Sequence, residues 1–266
     1  MLSRIALLAW TLLLIAPAFA RDNAPSAREL CHQAIPTVRD LWRRDLYDAS
    51  PAVDVLMVDV IDGQLPQARR QFAQLKPTEV AHWRQLAMLT AAYTWQAAVV
   101  DALLDDGAEV DGMGWIPPFK PSFYGQTVDS MKHDPRFGGP ARVDGLAATG
   151  LLDNRGRRYG PALVIATQCG DLATVDVLLR HHADVTARQA PNIADALDTA
   201  VMEGNATIVQ RLLDHGASAC MHDRLAQRRA LKDKRRFIPL AEIGLRAGLP
   251  DELAARLRCP AVASVR

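Results

Sequence analysis

The sequence is short of net charge, of long apolar runs, and of every spacing that marks a catalytic or metal centre. Lysine and arginine number 31 against 30 aspartate and glutamate, a formal charge of +1. Arg4 is the only charge in residues 1–20, so the rest of the chain balances at zero. A balanced chain lacks the basic stripe that a nucleic-acid backbone demands, which argues against nucleic acid as the main partner. The apolar run Ile5 to Ala16 is about a dozen residues, short of the ~20 that a membrane span needs. No C-x-x-C pair and no Cys/His cluster has zinc spacing. A G-x-S-x-G elbow, an H-E-x-x-H helix and a glycine-rich phosphate loop are also missing. His181 and His182 are adjacent, and neighbours on a helix point about 100° apart, so the pair does not share a metal and reads as a helix end. His133-Asp134 and His222-Asp223 are lone dipeptides. Asp101, Asp105 and Asp106 sit at one helix end and read as solvating groups. The expectation is a protein that is not an enzyme and holds neither cofactor nor metal.

What is present begins with an address. Arg4 supplies a positive start, Ile5 to Ala16 an apolar stretch, Pro17 a break, and Ala18-Phe19-Ala20 an A-x-A cleavage site. This predicts a secretory signal over 1–20, cleavage after Ala20, and no stable membrane insertion afterwards. Export permits disulfides among Cys31, Cys169, Cys220 and Cys259. Four cysteines allow three full pairings, and the sequence does not choose among them. Helical segments precede both Cys220 and Cys259, which favours that pair. Cys169, inside a predicted helix, reads as a small buried hydrophobe.

The strongest positive signal is repetition. Gly170 and Gly204, Leu178-Leu179 and Leu212-Leu213, and Ala183 and Ala217 all recur 34 positions apart, in one register. An earlier stretch repeats the pattern: Leu103-Leu104 followed by Asp106-Gly107-Ala108 parallels Leu212-Leu213 followed by His215-Gly216-Ala217. Further back, Gly63 stands 32 positions before an equivalent Trp95. Small residues at Ala91, Ala92, Ala166 and Ala200 let a short helix approach its neighbours. The leucine pairs form an apolar stripe for the next unit to cover. Gly107 and Gly216 follow a helix end, where positive φ is needed. His182 holds that place in the middle unit, and a left-handed residue other than glycine costs on the order of 1 kcal/mol.

Three motifs carry a family likeness. Pro161-Ala162-Leu163-Val164-Ile165-Ala166-Thr167 and Ile238-Pro239-Leu240-Ala241 match a T-P-L-H-x-A-A pattern. Val99-Val100 with Leu103-Leu104, and Val175 with Leu178-Leu179, match V-V-x-x-L-L. Gly107-Ala108-Glu109-Val110 and His182-Ala183-Asp184-Val185 match G-A-D-V. The chain resembles the ankyrin-repeat family over roughly 53–111 and 159–219, with a degenerate unit near 237–258. The resemblance implies an all-α solenoid of about four to five helix-turn-helix units. The organisation then reads as a signal peptide (1–20), an N-terminal helical cap (21–52), repeats (53–111), an insert (112–160), repeats (161–221), and a basic helix with a cap repeat (222–266).

The insert stands out by composition. Leu103 to Leu178 is 75 residues, about 40 more than one repeat step. The extra stretch carries Trp115, Phe119, Phe123, Tyr124 and Phe137 among many prolines and glycines, together with Arg136. Disordered segments are poor in aromatics, so it reads as an ordered excursion packed on the repeats, with Gly145 to Asp153 as a short helix. Aromatic and arginine side chains dominate binding hot spots, which makes these six residues the candidate partner contacts; burial against the repeats is the competing use of the same rings. The basic run Arg224 to Arg236 reads as a helix with a solvated face, or as a patch for an acidic partner or anionic headgroups.

Ankyrin stacks rarely host chemistry, so the resemblance implies binding to another protein. The architecture is similar to small exported ankyrin proteins of Gram-negative bacteria, some of which are immunity partners of antibacterial toxins. That implies a periplasmic protein, monomeric when free, that neutralises a secreted toxin. The alternatives are a helper for an oxidative-stress or envelope enzyme, and an enzyme using the insert.

Overall fold

The computed structural model describes residues 26–43, 49–116, 132–133, 157–188, 194–220, 223 and 237–259. The signal segment, the 145–153 helix and the basic run 224–236 lie outside the described residues. The described chain is mostly helical: α1 Ala27–Arg43, α2 Pro51–Ile61, α3 Leu65–Phe72, α4 Pro77–Tyr93, α5 Ala97–Asp105, α6 Ala162–Gln168, α7 Leu172–Arg180, α8 Ala196–Met202, α9 Ala206–Asp214, α10 Leu240–Arg246 and α11 Asp251–Arg256. Two three-residue strands, β1 Gly114–Ile116 and β2 Arg157–Tyr159, pair antiparallel. No described helix is long and apolar enough to cross a membrane.

From α2 onward the helices form five hairpins. The first helices pack in a row, α2 on α4, α4 on α6, α6 on α8 and α8 on α10. The second helices α5, α7, α9 and α11 make a parallel row behind them. Helix starts follow from local chemistry. Pro51 and Pro77 stand in the first turns of α2 and α4, and Pro161 and Pro239 precede α6 and α10, where proline's fixed φ fits and its missing N–H costs nothing. Asp171 and Asn205 cap α7 and α9 by accepting from Thr174 N and Ile208 N.

The tight turn inside each hairpin is the same turn. Gly63, Trp95, Gly170, Gly204 and Gly248 all have positive φ, from 64° to 90°. The equivalence of Gly63 and Trp95 read from the sequence therefore holds in the backbone. Past the second helices, Gly107, His182 and Gly216 are also left-handed. Four residues before each of the last four inner turns stand Ala91, Ala166, Ala200 and Gly244, all buried. A Cβ on Gly244 would lie 3.3 Å from Val201 Cγ1. Small side chains at this register are what let the first helices close up. Leu103, Leu178 and Leu212 are 0% exposed and belong to one continuous core, so the leucine pairs do not serve separate cores.

Two expectations need correction. Cys169 is buried, but it is no isolated hydrophobe: it is the C-cap of α6 and is disulfide-bonded to Cys31, 138 residues earlier. The favoured Cys220–Cys259 pair is present as well, and no described cysteine is free. The acidic residues of α5 are also more than solvating groups. Asp101 Oδ1 accepts from His181 Nε2 (2.7 Å) and Arg180 Nη1 (3.2 Å), and Asp106 accepts from Arg69 (3.1 Å). Asp176–Arg211 (2.8 Å) and Asp214–Arg256 (3.0 Å) continue the series. Each step between neighbouring second helices thus carries an ion pair. These pairs are largely exposed and screened by solvent, so their contribution to stability is small. His181 bonding lowers the pKa of Asp101, with Arg180 adding to it.

Candidate functional site

The site is the base of the insert, where β1 and β2 leave and rejoin the hairpin row. It starts from an unusual helix. α4 has 17 residues, whereas α6, α8 and α10 have 7 each. The additional N-terminal turns of α4 give the ribbon something to lie on.

Glycine and one glutamine fix the ribbon there. The Gln85 side chain copies a strand's hydrogen bonding: its Oε1 accepts from Glu109 N (2.8 Å) and its Nε2 donates to Glu109 O (3.0 Å). A Cβ on Gly112 would sit 2.7 Å from Gln85 Nε2, and one on Gly114 would sit 2.7 Å from Leu89 Cδ1 and 3.3 Å from Leu86 Cα. The backbone of β1 therefore lies directly on α4, closer than any side chain permits. Register then sets Gly114 opposite Tyr159, Trp115 opposite Arg158 and Ile116 opposite Arg157. Strand neighbours point to opposite faces, so with Gly114 against the helix Trp115 turns away from it.

Trp115 is 43% exposed, and no other described aromatic is among the exposed large hydrophobic residues. A tryptophan left in water on a backbone this firmly placed forgoes its own burial, which is the usual state of a binding anchor before its partner arrives. Of the six candidate contacts, Trp115 alone is described; Phe119, Phe123, Tyr124, Arg136 and Phe137 lie outside the described residues. At the two ends of the insert, β1 pairs with β2 and Gly114 of β1 lies against α4.

Polar groups stiffen the neighbouring connections. Asp111 Oδ1 accepts from Asp184 N (3.0 Å), tying the connection after α5 to the connection after α7. Partial burial raises the pKa of Asp111, and this bond opposes the rise. At the start of α8, Asp195 and Asp198 form a reciprocal capping box, Asp198 N donating to Asp195 Oδ1 at 2.9 Å. Arg188 pairs with Asp195 and lies 3.5 Å from Asp198. Burial raises the pKa of Asp195 above its ordinary value, the charge of Asp198 adds to the rise, and Arg188 opposes it. An acid whose folded pKa is raised binds its proton more tightly in the fold. Its charged form costs stability at neutral pH, and that cost is relieved as pH falls through the folded pKa. Asp198→Asn is therefore expected to lower the pKa of Asp195, as read from its carboxyl carbon shift by NMR titration.

Sequence reading missed Gln85, because a helical glutamine carries no signal until its backbone partner is known. The described residues contain no cluster of three or more His, Cys, Asp or Glu side chains placed to hold a metal. Compared with protein-family models and with curated proteins, the chain matches none.

Proposed function

We propose that this chain is an exported ankyrin-type protein that binds another protein through the ribbon edge, without chemistry of its own. The observation that carries the reading is Trp115, exposed on a strand whose backbone is held against α4. A preformed anchor loses little ordering entropy on binding. The shared left-handed turns and the two helix rows support the ankyrin assignment. The two disulfides fit an oxidising compartment such as the periplasm. The partner class we favour is a secreted antibacterial toxin, with this chain as its immunity protein.

The test is a replacement that leaves the ribbon intact. Residues 117–156 are exchanged for an Asn-Gly turn joining Ile116 to Arg157, a connection suited to a two-stranded ribbon. The expected result is a folded protein whose affinity for a partner captured from periplasmic extract falls about ten-fold or more, the scale of losing one or two hot-spot residues. Full affinity in a folded replacement would remove residues 117–156 from recognition and leave the retained ribbon edge with Trp115 as the contact. Co-expression with the captured partner then tests the immunity reading: it must rescue growth from that partner's toxicity.

A further inference from the structure

One device in the fold is not used by the ribbon edge. α1 lies across the inner turns of the first three hairpins. Arg39 and Arg43 pair with Asp62 beside the first turn, Arg28 and His32 lie over Trp95 in the second, and Cys31 is bonded to Cys169 in the third. The two halves of this helix are held in different ways. After Pro36 come Val38, Leu41 and Trp42, each 4% exposed or less, large side chains buried in the core. Before Pro36, among the described side chains, Cys31 and Ala34 are the fully buried ones and Ile35 packs partly against the core, which together cover less apolar area than the second half does. Proline removes one hydrogen bond from the helix ladder between the halves, a recognised cause of bending.

Trp95 marks the docking point. The four equivalent turns carry glycine, and this one places a bulky side chain at φ 64°. Such a conformation is disfavoured for a residue with a Cβ and persists only where the surroundings hold it. The turn itself is closed by Gln96 N donating to Ala91 O, and Trp95 packs partly against the core. Facing its ring is the first half of α1, with the Arg28 guanidinium carbon 5.3 Å from the ring centroid and the His32 ring 5.3 Å away. Arg28 and His32 are themselves exposed, so these contacts are made in water and are weak.

We infer that α1 is a redox-dependent strap hinged at Pro36: the Cys31–Cys169 disulfide clasps its first half, and reduction frees that half while the hairpins stay folded. The step is a thiol–disulfide exchange with a dithiol reductant. Both cysteines are 1% exposed, so the dithiol attacks one sulfur of the pair during a transient local opening of the buried turn and then closes to its own disulfide. Two electrons and two protons pass to the protein, the S–S bond breaks, and Cys31 and Cys169 become thiols. Release uncovers Trp95 and the Gly170 turn, where the Arg28 side chain now packs 3.4 Å from the position of a Gly170 Cβ.

Hydrogen exchange read by mass spectrometry on the full chain tests this. The oxidised protein is compared with the C31S/C169S variant, which keeps Cys220–Cys259, and with wild-type protein in dithiothreitol. The expected result in both comparisons is that 27–35 exchanges about ten-fold or more faster, at labelling times at which 37–43 and α6 to α9 remain protected; this is the pattern of a local opening, with any fall in global stability showing only at longer times. Unchanged protection at 27–35 would overturn the inference. Equal loss of protection on both sides of Pro36 at those labelling times, or its loss throughout the hairpins, would overturn it too, because the disulfide would then hold the whole fold rather than a strap.

Discussion

Replacing both Cys31 and Cys169 by serine is expected to lower the global unfolding free energy by about 4–5 kcal/mol. The size follows from where the bond sits. It joins residues 138 apart, so the unfolded chain it constrains is a loop of more than half the molecule. Loop-closure entropy grows with the logarithm of loop length, and this places the bond at the upper end of the range for native disulfides. Cys220–Cys259 closes a loop of only 39. Breaking it should cost about 1 kcal/mol less on the same scale. Urea denaturation of the two double-serine variants checks both the magnitude and the order. A larger loss from the shorter loop would mean that native packing around the C-terminal hairpin, not chain entropy, dominates.

The second large effect is expected at Gly204. Its φ of 67° already disfavours a side chain, at about 1–2 kcal/mol. Its Cβ would also stand 2.3 Å from the carbonyl oxygen of Ala247, the C-cap of α10 in the next hairpin. A backbone atom in a packed turn does not move aside cheaply, so overpacking adds about 1–3 kcal/mol. Gly204→Ala should therefore destabilise by roughly 3 kcal/mol in urea denaturation. Gly216→Ala is the control. It shares the positive φ (87°), but its Cβ would meet nothing within 4 Å, so only the conformational cost applies. Equal losses at the two glycines would show that the last two hairpins do not touch through this turn.

The repeating backbone was legible because each unit writes its own turn. Gly170, Gly204 and their flanking leucines recur at a fixed interval, and the left-handed role of His182 followed from its place in that interval. Trp95 was legible for the same reason, although its side chain is the least suited to the conformation. The last hairpin was harder. Gly204 to Gly248 is 44 residues, a longer step than the 34 before it, because 222–236 interrupts the register. The helix lengths were not legible either: nothing in Pro77 to Leu86 announces that α4 outruns its counterparts.

At the site, composition singled out the insert and Trp115, but strands of three residues are too short to show alternation. The docking of the ribbon depends on glycines meeting Gln85, Leu86 and Leu89 in space, which spacing does not encode. The Cys31–Cys169 pair was hidden by distance along the chain. Its geometry exists only once α1 crosses three turns. The ion pairs of Asp101 and Asp106 were hidden likewise, since charges at one helix end are solvating until a neighbouring helix brings Arg180, His181 or Arg69 beside them.

The most direct measurement is titration calorimetry of the purified partner against Trp115→Ala, with the melting temperature recorded on the same samples. Removing an anchor of this type is expected to weaken binding by about 2 kcal/mol, roughly thirty-fold, with the melting temperature within about a degree of wild type because Trp115 is not a core residue. Undiminished affinity would contradict the account, placing recognition elsewhere than on the ribbon edge.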